Sequence, residues 1–273
     1  MVGVFDSGYG GLTILDEFLK LLPQYDYLYL GDNARAPYGP RSFNTVYRYT
    51  KACVRYLYEQ GCQLVILACN TASAKALRTI QQRDIPGWDP RFRVLGVIRP
   101  MAEAVADCTK TGHVGVLGTQ GTVLSDSYPI EINKLWPDLK VTQVACPMWV
   151  PLVENGEYDS PGADYFVQEY LTELLRRDPA IDAVVLGCTH YPLLMHKIVK
   201  YLPAGVRVLS QGEIVSQRLQ DYLQRHADLE QRLSRGGTCR YVTTDDVEAF
   251  VRHAQHFMRR PVTATCWSGE GLS

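Results

Sequence analysis

Short runs of apolar, mostly β-branched residues recur along this chain, separated by longer segments of helical periodicity. The runs at 2–5, 25–30, 64–68, 93–98, 113–117, 140–145, 183–187 and 206–210 read as strands. A strand covered on one face alternates apolar and polar residues; one covered on both faces stays apolar throughout. LVIL at 64–67 and AVVL at 183–186 are of the second kind, which points to parallel sheets flanked by helices. In 45–60, Val46, Tyr49, Cys53, Tyr56, Leu57 and Gln60 fall on one helical face. Ile214, Val215, Leu219, Tyr222 and Leu223 form a second stripe, opened by a Ser210-x-x-Glu213 capping box. Val247, Phe250, Val251, Ala254 and Phe257 form a third, opened by Asp245-x-x-Glu248. The expected class is α/β, with layers of helix on both faces of mainly parallel sheets.

At 273 residues the chain has room for about two domains. No basic segment followed by a long apolar run opens it, and its apolar runs are far too short to span a bilayer. A cytoplasmic protein with reduced thiols and no membrane partner is therefore expected. Twenty-eight Lys and Arg stand against 29 Asp and Glu, a balance that gives no reason to expect nucleic acid as a partner. The eight cysteines contain no C-x-x-C pair, which argues against a zinc ribbon, and no metal is expected.

Two segments echo two others in the same order and at similar spacing. VGVFDSGYGG from residue 2 resembles VGVLGTQGT from residue 114, and LVILACNTASA from 64 resembles AVVLGCTHYPLL from 183. Two similar halves are implied. The second echo aligns Cys69 with Cys188. Each follows a buried-strand run, precedes small polar residues and leads into helical pattern, at 72–80 and 193–201. Each thiol should then sit at a strand C-terminus facing a helix N-terminus, where open α/β sheets bind ligands. The helix end should favour the thiolate. Cys53, Cys62, Cys108 and Cys146 read instead as small core residues.

A matched pair of thiols suits a reaction that removes a proton from one face of a carbon and returns one to the other. Such a cofactor-free racemisation needs two acid/base groups, one thiolate and one thiol, that exchange roles with direction. Asp6, at the end of the first strand, would approach Cys69 if that strand neighbours 64–68. His190, two residues past Cys188, could serve the other thiol. A capping carboxylate and a structural histidine are the plainer readings of the two. Gly8-Tyr9-Gly10-Gly11-Leu12-Thr13 imitates a dinucleotide fingerprint, but Thr13 stands where the third glycine is required.

Five segments together resemble bacterial glutamate racemases of the aspartate/glutamate racemase superfamily. They are VFDSGYGGLT from residue 4, GDNARAPYG from 31, ACNTASA from 68, VPLVE from 150 and GCTHYPL from 187. The resemblance implies interconversion of L- and D-glutamate without a cofactor, supplying D-glutamate for peptidoglycan. It makes Cys188 the base toward L-glutamate and Cys69 the base toward D-glutamate. Asp6 would assist Cys69, and His190 and Glu154 would assist Cys188. Ser7, Tyr38, Gly39, Asn70, Thr71, Thr119, Thr122 and Thr189 would line the substrate site with Asp6 and His190. The implied fold has two pseudo-symmetric α/β domains, 1–97 with 208–273 and 98–207, with the active site in the cleft between them. A homodimer is also implied.

Some positions depart from that pattern. Tyr9 and Asn33 stand where a small aliphatic residue and Thr are common, and Arg99 stands where an acid is usual. The tail 259–273 matches nothing in the pattern. The alternatives are an aspartate or other amino-acid racemase of the superfamily, and a regulatory binding protein of the gyrase-inhibitor type on the same fold.

Overall fold

The computed structural model describes residues 1–258 and 260–268. Among the described residues ten strands form two sheets, and every strand pair in both is parallel. The strands are β1 (Val2–Asp6), β2 (Tyr27–Gly31), β3 (Leu64–Leu67), β4 (Arg93–Gly96) and β5 (His113–Gly118), followed by β6 (Lys140–Ala145), β7 (Ala183–Gly187), β8 (Arg207–Leu209), β9 (Cys239–Thr243) and β10 (Ala264–Cys266). One sheet has the order β10-β9-β2-β1-β3-β4 and the other β6-β5-β7-β8. The order β2-β1-β3-β4 in the first thus repeats as β6-β5-β7-β8 in the second. The two sequence echoes fall on β1 with β5 and on β3 with β7, the two central strands of each four-strand unit.

β1, β2, β3 and β7 are buried at every residue, as their unbroken apolar runs require. One apolar core joins the sheets, with Val4 and Tyr29 of the first and Leu117 and Val184 of the second in the same cluster. The helix Phe43–Glu59 turns its apolar face, with Val46, Cys53 and Leu57 buried, toward the first sheet. No helix among the described residues is long and apolar enough to cross a membrane.

Several local expectations need correction. β9 and β10 are not among the strands read from the sequence. β9 has the polar start Cys239-Arg240, and β10 is three residues long with an exposed end. Ser210 does precede the helix Gln211–Arg225, but its side chain makes no capping bond. The cap of the helix Val247–Phe257 is Asp246, one residue later than expected, accepting from the Ala249 N–H at 2.7 Å. After Cys188 the chain first makes a 3-10 turn, Tyr191–Leu194, before the helix Met195–Tyr201. Pro192 stands at the start of that turn, a position where its missing N–H breaks no helical bond. Cys108 is half-buried, whereas Cys53, Cys62 and Cys146 are fully buried. Of the tail, 260–268 carries β10 and Trp267, which stacks on Tyr56 at 4.1 Å between ring centroids; residues 259 and 269–273 lie outside the described residues.

Candidate active site

Parallel strands leave their C-terminal ends, and the turns after them, on one side of a sheet. The two sheets bring such ends together around a cavity of about 240 Å³, walled by both Cys69 and Cys188.

Cys69 follows β3. It caps the helix Asn70–Lys75, its Sγ accepting from the Ala72 N–H at 3.4 Å. Ser7, just past β1, holds its hydroxyl 3.3 Å from the same sulfur. β1 pairs with β3, which brings Asp6 close enough for its charge to act on Cys69. The outcome for the thiol reverses the sequence expectation. Burial pushes it up to about 12, Asp6 adds to the rise, and the bonds from Ser7 and Ala72 oppose them without prevailing. A helix of six residues offers too little dipole to offset removal of the sulfur from water.

Asp6 is 1% exposed. Its Oδ2 accepts from the Gly8 N–H at 2.9 Å, and its buried Oδ1 has no partner. Burial raises this carboxyl above its ordinary range, while the nearby His190 charge pulls it back. Gly11, not a side chain, caps the helix Leu12–Leu21, yet the Gly8 and Gly11 N–H groups at its start also favour the charged form of Asp6, so the plainer capping role is partly met.

Cys188 follows β7. His190 is buried beside it, with Nδ1 3.8 Å from the Cys188 Sγ and Nε2 3.0 Å from Glu154 Oε1. Burial works against a charged imidazole, but the bonds to Cys188 and Glu154 outweigh it and raise His190 to about 10. Glu154 ends the helix Trp149–Glu154, and its side chain is 27% exposed, so it is a held acid rather than a free loop carboxylate. Backbone packs against the His190 ring from the first sheet. A Cβ on Gly10 would lie 2.2 Å from Thr189 Oγ1 and 2.5 Å from His190 Nδ1, so only glycine fits there. Phe257 meets the ring edge-on, with centroids 5.5 Å apart.

Ser7, Tyr38, Gly39, Asn70, Thr71, Thr119 and Thr189 also face the cavity. Thr71 and Thr119 are bonded hydroxyl to hydroxyl at 2.9 Å across the two halves. The Tyr38 hydroxyl donates to Asp32, so its ring, rather than its O–H, is offered to the cavity. Asp32 in turn accepts from Arg35 Nε at 2.7 Å and Thr244 Oγ1 at 2.8 Å, tying the 32–39 loop to the end of β9. Asp6 and Thr122 lie behind the wall: Thr122 is fully buried, its hydroxyl 3.1 Å from that of Thr119.

Sequence reasoning missed the apolar side of the cavity. Cys146, Pro147, Val150 and Pro151 form it, and Cys146 is therefore wall as well as packing. No periodicity marks these residues, since they lie in the turn after β6 and the helix that follows. Arg99 is a surface residue paired with Glu103 at 2.9 Å and Glu131 at 3.2 Å. Tyr9 stacks on His253 at 4.8 Å and on Phe257 at 6.2 Å.

The family description "Asp/Glu/hydantoin racemase" matches residues 13–219. A glutamate racemase of Geobacter metallireducens is 40% identical over 258 residues, covering 94% of this chain and 92% of that protein. Among solved structures, a glutamate racemase isoform of Bacillus anthracis superposes with a TM-score of 0.89 at 35% identity, covering 98% of this chain and 97% of that one. The glutamate racemase of Francisella tularensis, solved in complex with D-glutamate, gives 0.87 at 30% identity over 99% and 98% of the two chains. With two strand-end thiols on one cavity and these similarities along nearly its whole length, the chain belongs to the Asp/Glu/hydantoin racemase family.

Proposed function

We propose that this chain interconverts L- and D-glutamate without a cofactor, Cys69 and Cys188 acting as the two acid/bases. The observation that carries the reading is the pair of thiols on one small cavity, one from each sheet, each with its own polar helpers. Cys69 is held as a thiol by burial. At Cys188, the His190 imidazolium, which persists through neutrality, stands with Nδ1 3.8 Å from the sulfur. In the L-to-D direction Cys188 would take the α-proton of L-glutamate and Cys69 would return one on the other face. For the reverse direction Cys69 must lose its proton. The substrate ammonium, entering a cavity where Cys69 is buried, supplies the positive charge that burial denies it. Asp6 would act as the proton relay for Cys69, and His190 with Glu154 as the relay for Cys188. Asn70, Thr71, Thr119 and Thr189, with backbone N–H groups, would hold the two carboxylates.

On this reading the product feeds peptidoglycan synthesis in a bacterial cytoplasm, and the active form is a homodimer. The two sheets would be the cores of two domains, with the chain crossing near residues 97–98 and returning after about 208. Circular dichroism with L- and D-glutamate, and with aspartate as the rival substrate, tests the proposal. Wild-type protein should racemise glutamate and place solvent deuterium at Cα. Cys69→Ser and Cys188→Ser should each lose at least about a hundredfold in rate. Turnover of aspartate alone, or near-normal rates in either variant, would overturn it.

A further inference from the structure

Asn70 follows Cys69 and faces the cavity, yet its side chain is also bonded on the side away from it. Its Nδ2 donates to Gln211 Oε1 at 2.7 Å, and its Oδ1 accepts from Gln211 Nε2 at 2.8 Å and from the Tyr128 hydroxyl at 2.8 Å. Gln211 Nε2 donates its other hydrogen to the Tyr128 oxygen at 3.0 Å. All three side chains are buried, at 2%, 2% and 0% exposure for Asn70, Gln211 and Tyr128. They come from three elements: the helix after β3, the helix Ser127–Leu135 of the other half, and the start of the helix Gln211–Arg225. Neither Tyr128 nor Gln211 is required by the chemistry described above.

The two amides form a reciprocal pair, so neither can turn alone. Turning one would set oxygen against oxygen and N–H against N–H, each left unsatisfied in a buried place. Asn70 Nδ2 carries two hydrogens and spends one on Gln211, which leaves one donor uncommitted. If both amides turned together, Asn70 would offer its oxygen to the cavity instead. An anionic occupant selects the donor-facing arrangement, which is the one in the structure. Tyr128 also packs beside the residue before the other thiol: a Cβ on Gly187 would lie 3.1 Å from its ring.

We propose that Tyr128 and Gln211 are positioning residues for racemisation, holding the Asn70 amide with one N–H free for a substrate carboxylate between the two thiols. This rests on the racemase reading. Gln211→Leu removes the amide pairing, and Tyr128→Phe removes the hydroxyl while keeping the ring against Gly187. Each should lower kcat/KM about tenfold, mainly through KM, because an amide that turns freely presents its donor only part of the time. The discriminating measurement is a double-mutant cycle. In an Asn70→Ala background, Gln211→Leu should cost nothing further, since the partner it orients is gone. Losses that multiply in the double variant would overturn the proposal by showing a structural role independent of Asn70, with melting temperatures measured beside the rates.

The network is also readable without substrate. Side-chain amide signals of Asn70 and Gln211 should exchange slowly with solvent in ¹⁵N–¹H spectra, with protection lost in Tyr128→Phe. Rapid exchange in the wild type would overturn the proposal directly. Slow exchange in a protein that leaves glutamate unchanged would instead leave the network standing and remove the racemase reading.

Discussion

Glu154→Gln tests the electrostatics of the Cys188 side most sharply. Glu154 Oε1 sits 3.0 Å from His190 Nε2, and His190 stands at about 10. A charge pair about 4 Å between centres is worth ~4 kcal/mol at an effective dielectric near 20, or about three pH units on the imidazole. The Glu154 side chain is 27% exposed, so water screens part of its field and one to two units is the working figure. Because the folded value lies near 10, the imidazolium is essentially complete up to about a unit below it and is given up as pH rises through about 10. The alkaline limb of the L-to-D rate should therefore fall near pH 10 in the wild type and near pH 8–9 in Glu154→Gln. The neutral amide can still hydrogen-bond the ring, so orientation is retained while charge is lost. The assay is the initial rate by circular dichroism from pH 6 to 10.5, run in both directions. An alkaline limb that stays in place would refute the claim that Glu154 sustains the His190 charge.

Two further perturbations bear on other parts of the argument. Gly10→Ala puts a methyl 2.2 Å from Thr189 Oγ1 and 2.5 Å from His190 Nδ1, so kcat/KM should fall tenfold or more; unchanged kinetics would mean that the ring can move freely. Asp178→Asn addresses stability rather than catalysis. Burial works against this carboxylate, but His113 Nδ1 at 2.8 Å, Lys140 Nζ at 3.0 Å and the Ala180 N–H at 3.1 Å hold it down to about 2. Its contribution is thus present above the ordinary value of 3.8 and lost as pH falls through about 2. Urea denaturation at pH 7 should show a loss of about 1–3 kcal/mol in the variant, shrinking toward pH 2.

The central strands and both thiols were legible because burial on two faces writes itself as unbroken apolar runs. An acid or sulfur placed after such a run must also emerge at the ligand-binding edge. Pairing of β1 with β3 could be posed only as a condition, yet the position of Asp6 behind Cys69 follows from it. The charge state of Cys69 was not legible. Helix-end position and burial pull in opposite directions there, and sequence reveals only the first. β9 and β10 escaped for a related reason: strands at the outer side of a sheet carry Arg240 and Thr265 and lose the apolar signature. The polar network of Asn70, Tyr128 and Gln211 joins residues far apart in sequence, and no spacing rule connects them.

The order of strands in the larger sheet has a consequence for how the chain is made. β6, which stays at the edge of its sheet, is polar and partly exposed. Its counterpart β2 is Tyr-Leu-Tyr-Leu-Gly, buried throughout, because β9 pairs along its whole length. During synthesis β2 emerges early, whereas β9 follows only after the entire four-stranded sheet. Through that interval the first sheet presents an apolar, unpaired strand edge of the kind that templates aggregation. Protection of that edge during translation, rather than the stability of the finished fold, should govern the yield of soluble protein.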